Sequence, residues 1–477
     1  MTEPEPTSTT DKVTVPRPAA APGTTAAPEP GAGPSAPARG RAAVARAGRA
    51  ETLRFVLTHT LPAFVKGISA PRPPLVSALA SVNQYGWSAA TFRALRARHG
   101  GAPVRIRALS GEVLVLLDPA DVRQFFAEPV DSLAMDAVDK VKLLGGLEPT
   151  GVICSHGALR EARREVNDYA LAAGKAVHPS CAEYLSVVTE ECAPLTRGPV
   201  LDYPRLLRAF QRISRRLVLG DLARDDEELH RWLLALREEA NWLGLRKGRA
   251  LAAERLYARA NARMEEYAAD APAHTLIGRA LAGPATDLDG EVDRVGQAHH
   301  WLLALDVSAW VAARTLRLLA AHPAEQEAVA GDSGVAEGSR LRACVQEAVR
   351  LYPVVPDFVR VARAPVRWRG VTYPAGTHVL APMGFHQRDP EHVPGGHLFV
   401  PGRWLVPGAD DDTSMAPFGH GGGRCPGDQL GLLVAAAVCA EVLRGHRITG
   451  AQPALDPHKP LPGALDPTAV RLTLTAR

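Results

Sequence analysis

Between about Glu291 and Ala321 the chain carries a run that only a helix enclosed by other helices can accommodate. Its centre, Trp301-Leu302-Leu303-Ala304-Leu305-Asp306-Val307-Ser308-Ala309-Trp310, is apolar nearly all round, as expected of a helix buried on every side. Asp289 is placed to cap it, and His322-Pro323 ends it, since proline cannot continue a helix. Asp306 is a carboxylate on this apolar rod, costly unless it is paired or at work.

Further helical patterns supply the enclosure. Residues 85 to 100 read as a helix, and Asp118-Pro119 offers an N-cap and a first-turn proline for another through Phe126. Ser155 is a candidate N-cap for a helix that carries His156, Arg160 and Arg164 on one face. From 180 to about 285 helices follow one another, broken at Gly198-Pro199, Gly220-Asp221, Gly248 and Gly283-Pro284. Ser339 to Tyr352 is helical, with Glu347 and Arg350 three apart and able to pair. Strands are few: a hairpin of Val104–Leu109 and Val113–Leu117, and a hairpin plus a third strand between Val366 and Ala381. The expected class is mainly α with a small β region.

Residues 1–45 are rich in Pro, Ala, Thr and Glu and bury too little apolar surface to offset ordering entropy, so they are expected to be a disordered tail. The first residues lack the basic and apolar regions of a signal peptide, and no later run reaches the ~18 apolar residues of a transmembrane segment. Leu53 to Val65 is mildly amphipathic and reads as a packed first helix. With 55 basic and 51 acidic residues, nothing calls for a nucleic-acid partner. Six cysteines, at 154, 181, 192, 344, 425 and 439, show no CxxC pairing, which suits a reducing cytoplasmic location.

The chemistry concentrates in Phe418-Gly419-His420-Gly421-Gly422-Gly423-Arg424-Cys425-Pro426-Gly427, just ahead of an apolar helical run from Gln429. Glycine permits tight folding and close approach of backbone to a flat ligand. With Pro426 suited to the first helical position, the positive helix end should favour a thiolate at Cys425, ready to hold a metal. Taken alone, the segment also fits a buried structural thiol in a glycine-rich turn.

Phe418, Gly421, Cys425 and Gly427 match the spacing of the haem-binding loop of the cytochromes P-450, the haem-thiolate monooxygenases. The succession Glu347, Arg350, Arg403 within Phe399–Trp404, and then Cys425 also resembles that family, from about residue 50 to the end. The resemblance implies the cytochrome P450 fold, a single haem domain over 46–477, and heme b (iron protoporphyrin IX) ligated by Cys425. It implies that His156, Arg160 and Arg360 bind the propionates, and that Glu347, Arg350 and Arg403 form a structural ion-pair network. Asp306 falls where the family's oxygen-activating acid lies. His300, Leu303, Ala304, Val307, Asp357 and Phe358 would line the substrate pocket, roofed by residues 128 to 154.

Two positions depart from the family pattern. Val307 stands where a threonine hydroxyl is usual, and Ser308 points about 100° further round the helix. Gly423 replaces a propionate-binding residue, leaving Arg424 or His420 to take over. The reaction implied is insertion of one oxygen atom from O2 into a small organic substrate, in bacterial secondary (natural product) metabolism. Electrons would come from a separate ferredoxin and ferredoxin reductase, docking on a basic surface near Arg163. Val307 keeps open a peroxygenase, oxidative coupling, desaturation or rearrangement, and a non-catalytic haem-binding protein is a third class.

Overall fold

The central helix is Ala298–Ala321, starting later than the sequence pattern suggests. The residues ahead of it are held in turns by one local and two tertiary contacts. The Asp293 carboxylate accepts from Gly296 N–H at 2.7 Å, and the Gln297 amide is bonded to Asn167 and to the Thr150 carbonyl. The computed structural model describes residues 44–477 except 68–69, 109–110, 138–139, 142–144, 146–147, 243–248, 287, 289, 332–333 and 336–337. Asp289, Gly248 and the tail through residue 43 therefore lie outside the described residues.

Tyr203–Leu219, Arg340–Leu351 and Asp428–Leu443 pack around the central helix, and their buried side chains form one continuous core. This arrangement covers a helix that has no solvent face of its own. Asp118 caps Pro119–Ala127 through Ala120 N–H at 2.8 Å, and Ser339 caps Arg340–Leu351 through Arg342 N–H at 3.3 Å. The fold is mainly α with a small β region, as expected.

The strands are β1 (Ala45–Arg46), β2 (Val104–Ala108), β3 (Gly111–Val115), β4 (Leu133–Ala134), β5 (Val200–Asp202), β6 (Phe358–Ala362), β7 (Val366–Trp368), β8 (Val371–Tyr373), β9 (His378–Ala381), β10 (His446–Gln452) and β11 (Arg471–Ala476). They form a six-stranded sheet of order β1-β2-β3-β9-β6-β4, a three-stranded sheet β10-β11-β5 and the hairpin β7-β8. In the large sheet β9 lies parallel to β3, with Val113 opposite His378, and antiparallel to β6, with Arg360 opposite Val379. This pairing fixes the strand that carries Arg360.

The stretch 53–65 is helical in three pieces, Arg49–Phe55, a π-helical turn Val56–Thr60 and Leu61–Lys66. The wider turn brings His59 against Phe92, ring centroids 4.9 Å apart, and bonds it to Ser88 Oγ at 2.9 Å. Among the described residues no helix is long and apolar enough to cross a membrane.

Candidate functional site

The helix Gly157–Ala170 ties the cysteine loop to the central helix. Arg160 donates to the Gly422 carbonyl and Arg164 to the Arg424 carbonyl, each at 2.9 Å. One turn further on, Asn167 accepts from the Trp301 indole at 2.7 Å. His156 does not join them. It occupies the N-cap position itself, 70% exposed and 3.0 Å from the Asp136 carboxylate, while the Ser155 hydroxyl turns back to the Val152 carbonyl. Arg163, expected near a basic docking surface, is instead buried and donates to the Gly151 carbonyl at 3.2 Å. Its place in the turn of the helix points it inward.

The cysteine loop is closed by a 2.9 Å bond from Cys425 N–H to the Phe418 carbonyl. Gly421 has φ +62, and a Cβ there would meet the Phe126 carbonyl oxygen at 2.5 Å. At Gly423 a Cβ would lie 2.5 Å from Arg360 Nη2. The following helix begins at Asp428 with Gly427 as its cap, so Pro426 stands ahead of the first helical position rather than in it. Cys425 is exposed by area yet surrounded by protein, and burial pushes its thiol up to about 11. The Gly427 N–H, Arg164 and Arg424 act the other way and do not prevail. The expectation of a pre-ionised sulfur is thus corrected: desolvation of the anion outweighs the helix end, and a coordinated cation is what removes such a proton.

Two buried guanidinium groups converge on this loop. Arg360, on β6, donates to the Phe125 carbonyl at 2.9 Å and lies over the Phe125 ring at 4.5 Å. Burial, and then Arg160, push it down to about 10. Arg160 Nε is buried with no hydrogen-bond partner among the described residues. Neither arginine forms an ion pair there. Arg424 is engaged elsewhere, bonded to Asp428 at 2.7 Å and 3.7 Å from Asp410.

On the central helix Ala304 is exposed, and His300, Leu303 and Val307 around it are partly so, as are Trp310, Arg314 and Ala320 further along. Asp306 faces the opposite flank, where it accepts from Ser214 Oγ at 3.1 Å and lies 3.5 Å from His230 Nδ1. Burial raises its pKa, against His230, Arg237, Ser214 and Arg215. The Ser308 hydroxyl is turned to its own helix, 3.3 Å from the Ala304 carbonyl. His300 Nδ1 lies 2.5 Å from the Glu148 carboxylate. Asp357 pairs with His59 at 3.3 Å. Although burial acts upward on its pKa, His59 and Lys66 hold it below the ordinary carboxylate range. Phe358 sits edge-on to Phe126, centroids 5.9 Å apart, and 3.8 Å from where a Cβ on Gly419 would be.

Glu347 and Arg350 meet Arg403 in a buried network. Arg350 also donates to the carbonyls of Gln387 at 2.6 Å and Gly396 at 2.9 Å, and Arg403 Nε is 3.2 Å from Glu347 Oε2. Trp404 adds an indole bond to Glu347 at 2.8 Å, a partner that its place beside Arg403 could have suggested. Glu148, Ser214 and His230 left no such signal, because they come from irregular or distant segments. A cavity of about 390 Å3 walled by Arg72, Leu236, Trp242 and Leu256 lies elsewhere and includes none of these residues.

A family model described as Cytochrome P450 matches residues 332–467. Among curated relatives, cyclooctat-9-en-7-ol 5-monooxygenase of Streptomyces melanosporofaciens is 31% identical over 175 residues, 34% of this chain and 38% of that protein. Cytochrome P450 monooxygenase AFT11-1 of Alternaria alternata is 28% identical over 201 residues, 35% and 40% of the two chains. These alignments span well under half the length of the relatives. A solved structure, the retinoic acid bound cyanobacterial CYP120A1, covers 80% of this chain and 93% of its own with a TM-score of 0.66 at 17% identity, a likeness of fold. The chain is thus similar to the cytochromes P450 in its fold and, over residues 332–467, in its sequence.

Proposed function

We propose that residues 46–477 act as one haem domain and that the protein is a haem-thiolate monooxygenase, inserting one oxygen atom from O2 into a small organic substrate. The family implies a haem cofactor, and heme b is the form proposed. The observation that carries the reading is the pair Arg160 and Arg360, two buried cations beside the Cys425 loop with no carboxylate partner among the described residues. Buried charges of one sign are costly unless an anion joins them, and two propionates are anions that guanidinium forks bind well. When bound, haem ligated by Cys425 supplies a thiolate-bound iron that favours O–O cleavage.

The chain's own residues then have separable roles in this reading. Gly421 and Gly423 let the loop pass close to its neighbours where a Cβ would collide. The exposed Ala304 leaves room on an otherwise buried helix, and Asp306, on another flank between Ser214 and His230, has its carboxyl pKa raised by burial. The reading includes a ferredoxin and ferredoxin reductase as electron donors and a cytoplasmic, natural-product setting. A Streptomyces relative named cyclooctat-9-en-7-ol 5-monooxygenase supports a small organic substrate.

The test is the absorption spectrum of the reduced, carbon-monoxide-bound protein beside a Cys425→Ala variant. A thiolate-type Soret band in the parent alone supports the reading. The same band in both, or no bound haem, overturns it.

One observation favours a second chemistry. Val307 has no hydroxyl, the Ser308 hydroxyl is turned to the Ala304 carbonyl, and Asp306 is occupied by Ser214 and His230. If peroxide rather than O2 is the oxidant, peroxide sustains turnover without a reductase, and Val307→Thr leaves coupled O2 use unchanged.

A further inference from the structure

His300 begins the open stripe of the central helix, one turn ahead of the exposed Ala304 and two ahead of Val307. Its ring is 41% accessible although the residue lies deep in the protein, whereas its partner Glu148 is 3% accessible. An accessible side chain on a helix enclosed elsewhere faces an interior space. At 2.5 Å, Nδ1 donates to Glu148 Oε2, so the carboxylate sets the orientation of the ring. Nε2 has no partner among the described residues. Glu148, with burial opposing, raises the pKa of His300.

A carboxylate buried like Glu148 is costly without a cation, and His300 is its ion-pair partner among the described residues; in that ion pair the couple is neutral as a whole and the imidazolium keeps one unused N–H donor at Nε2. A ligand carboxylate would bring an uncompensated negative charge into this enclosed region, and an ammonium would offer Nε2–H no acceptor. A carbonyl, ether or hydroxyl oxygen satisfies the donor without net charge. The next two turns of the stripe, Leu303, Ala304 and Val307, are apolar, which matches an apolar remainder of the molecule.

We propose that His300, positioned by Glu148, orients the substrate by donating from Nε2 to a neutral acceptor oxygen on an otherwise apolar molecule. Four to seven residues of helix separate His300 from Ala304 and Val307, which places that oxygen roughly 6–10 Å along the helix from the position that reacts. The inference deepens the proposed monooxygenase reading and rests on it for where reaction occurs. Glu148 is a positioning residue, since it acts through the imidazole.

The test measures binding by equilibrium dialysis, which needs no signal from a cofactor, with the holoprotein as purified. The probes are cyclooctanone, cyclododecanone and cyclopentadecanone, each against its parent hydrocarbon, with dodecanoate as an anionic comparison. One hydrogen bond from a charged donor should favour the best-fitting ketone over its hydrocarbon about tenfold or more. His300→Phe should abolish that ratio and leave hydrocarbon binding within about twofold, while His300→Gln should restore part of it. Glu148→Gln should shrink the ratio without changing hydrocarbon affinity, a split that a merely structural role would not produce. It also carries the comparison if His300→Phe does not fold. Equal binding of ketone and hydrocarbon by the parent, an undiminished ratio in His300→Phe, or tighter binding of dodecanoate than of the ketones overturns the inference. Failure of the haem reading shows separately, as a missing thiolate band, and leaves the binding ratios measurable.

Discussion

The guanidinium of Arg350 grips the carboxylate of Glu347 with hydrogen bonds of 2.8 and 2.7 Å, and neither side chain reaches solvent. The same two carboxylate oxygens also accept from Arg403, Trp404 and Val400 N–H, and Arg350 Nη1 and Nη2 donate further to three backbone carbonyls. The pair therefore pins the segment 387–404 to the helix Arg340–Leu351.

Removing one partner leaves the other buried and alone. Arg350→Ala is expected to cost about 3–5 kcal/mol. Trp404→Phe, which removes one hydrogen bond to the same carboxylate, should cost about 1–2 kcal/mol. Urea unfolding of both variants checks the order, and equal losses would contradict it.

The arginine pair predicts opposite effects with and without the cofactor. Arg360→Met deletes one of two buried cations that have no carboxylate partner among the described residues, leaving an apolar side chain beside Phe125. The haem-free protein should be unchanged or more stable by about 1 kcal/mol. Haem loss to an acceptor protein should be faster than from the parent. Destabilisation of the haem-free form with unchanged haem retention would argue against anion binding at Arg360.

Glycine replacement separates a required backbone from a permissive one. Gly431, inside the helix Asp428–Leu443, has nothing within 4 Å of a new Cβ, so Gly431→Ala should stabilise by about 0.5–1 kcal/mol. Gly421 has φ +62 and the Phe126 carbonyl oxygen 2.5 Å from a new Cβ. Gly421→Ala should therefore destabilise by at least ~1–2 kcal/mol. Thermal melts of the two variants should move in opposite directions.

Three buried histidines predict acid sensitivity. Burial pushes His178 and His386 down to about 4 and His299 to about 3. The neutral His178 ring donates from Nε2 to the Ala170 carbonyl and accepts at Nδ1 from Ser180 N–H. Each folded pKa lies below the unfolded value of 6.5. The stability gained from a neutral ring is thus complete above that value and lost as pH falls toward about 4, by up to about 1.4 kcal/mol per pH unit for each ring. Urea midpoints measured from about pH 7 down to about pH 5 should fall, and less steeply in His178→Gln.

Local patterns in the sequence located much of this architecture. The cap at Asp118, the breaks between residues 180 and 285 and the pairing of Glu347 with Arg350 all involve neighbours in the chain. The central helix starts later than its apolar period suggests because Asp293 closes a local turn on Gly296 N–H and Gln297 is held by the distant Asn167 and Thr150, which apolar periodicity does not register. The ionisation expected at Cys425 failed for a related reason, since a helix end is local and burial is not.

The sequence by itself determined the helical class, the enclosed central helix, and the glycine loop that presents Cys425, because hydrophobic period, capping and glycine freedom act over a few residues. Only the tertiary structure decided that Arg160 and Arg360 come together as cations without a carboxylate partner among the described residues, that His156 and Arg424 turn to Asp136 and Asp428, and that Glu148 holds His300. Burial and charge pairing depend on segments that may be hundreds of residues apart in the chain, and folding is what brings those segments within a hydrogen bond of each other.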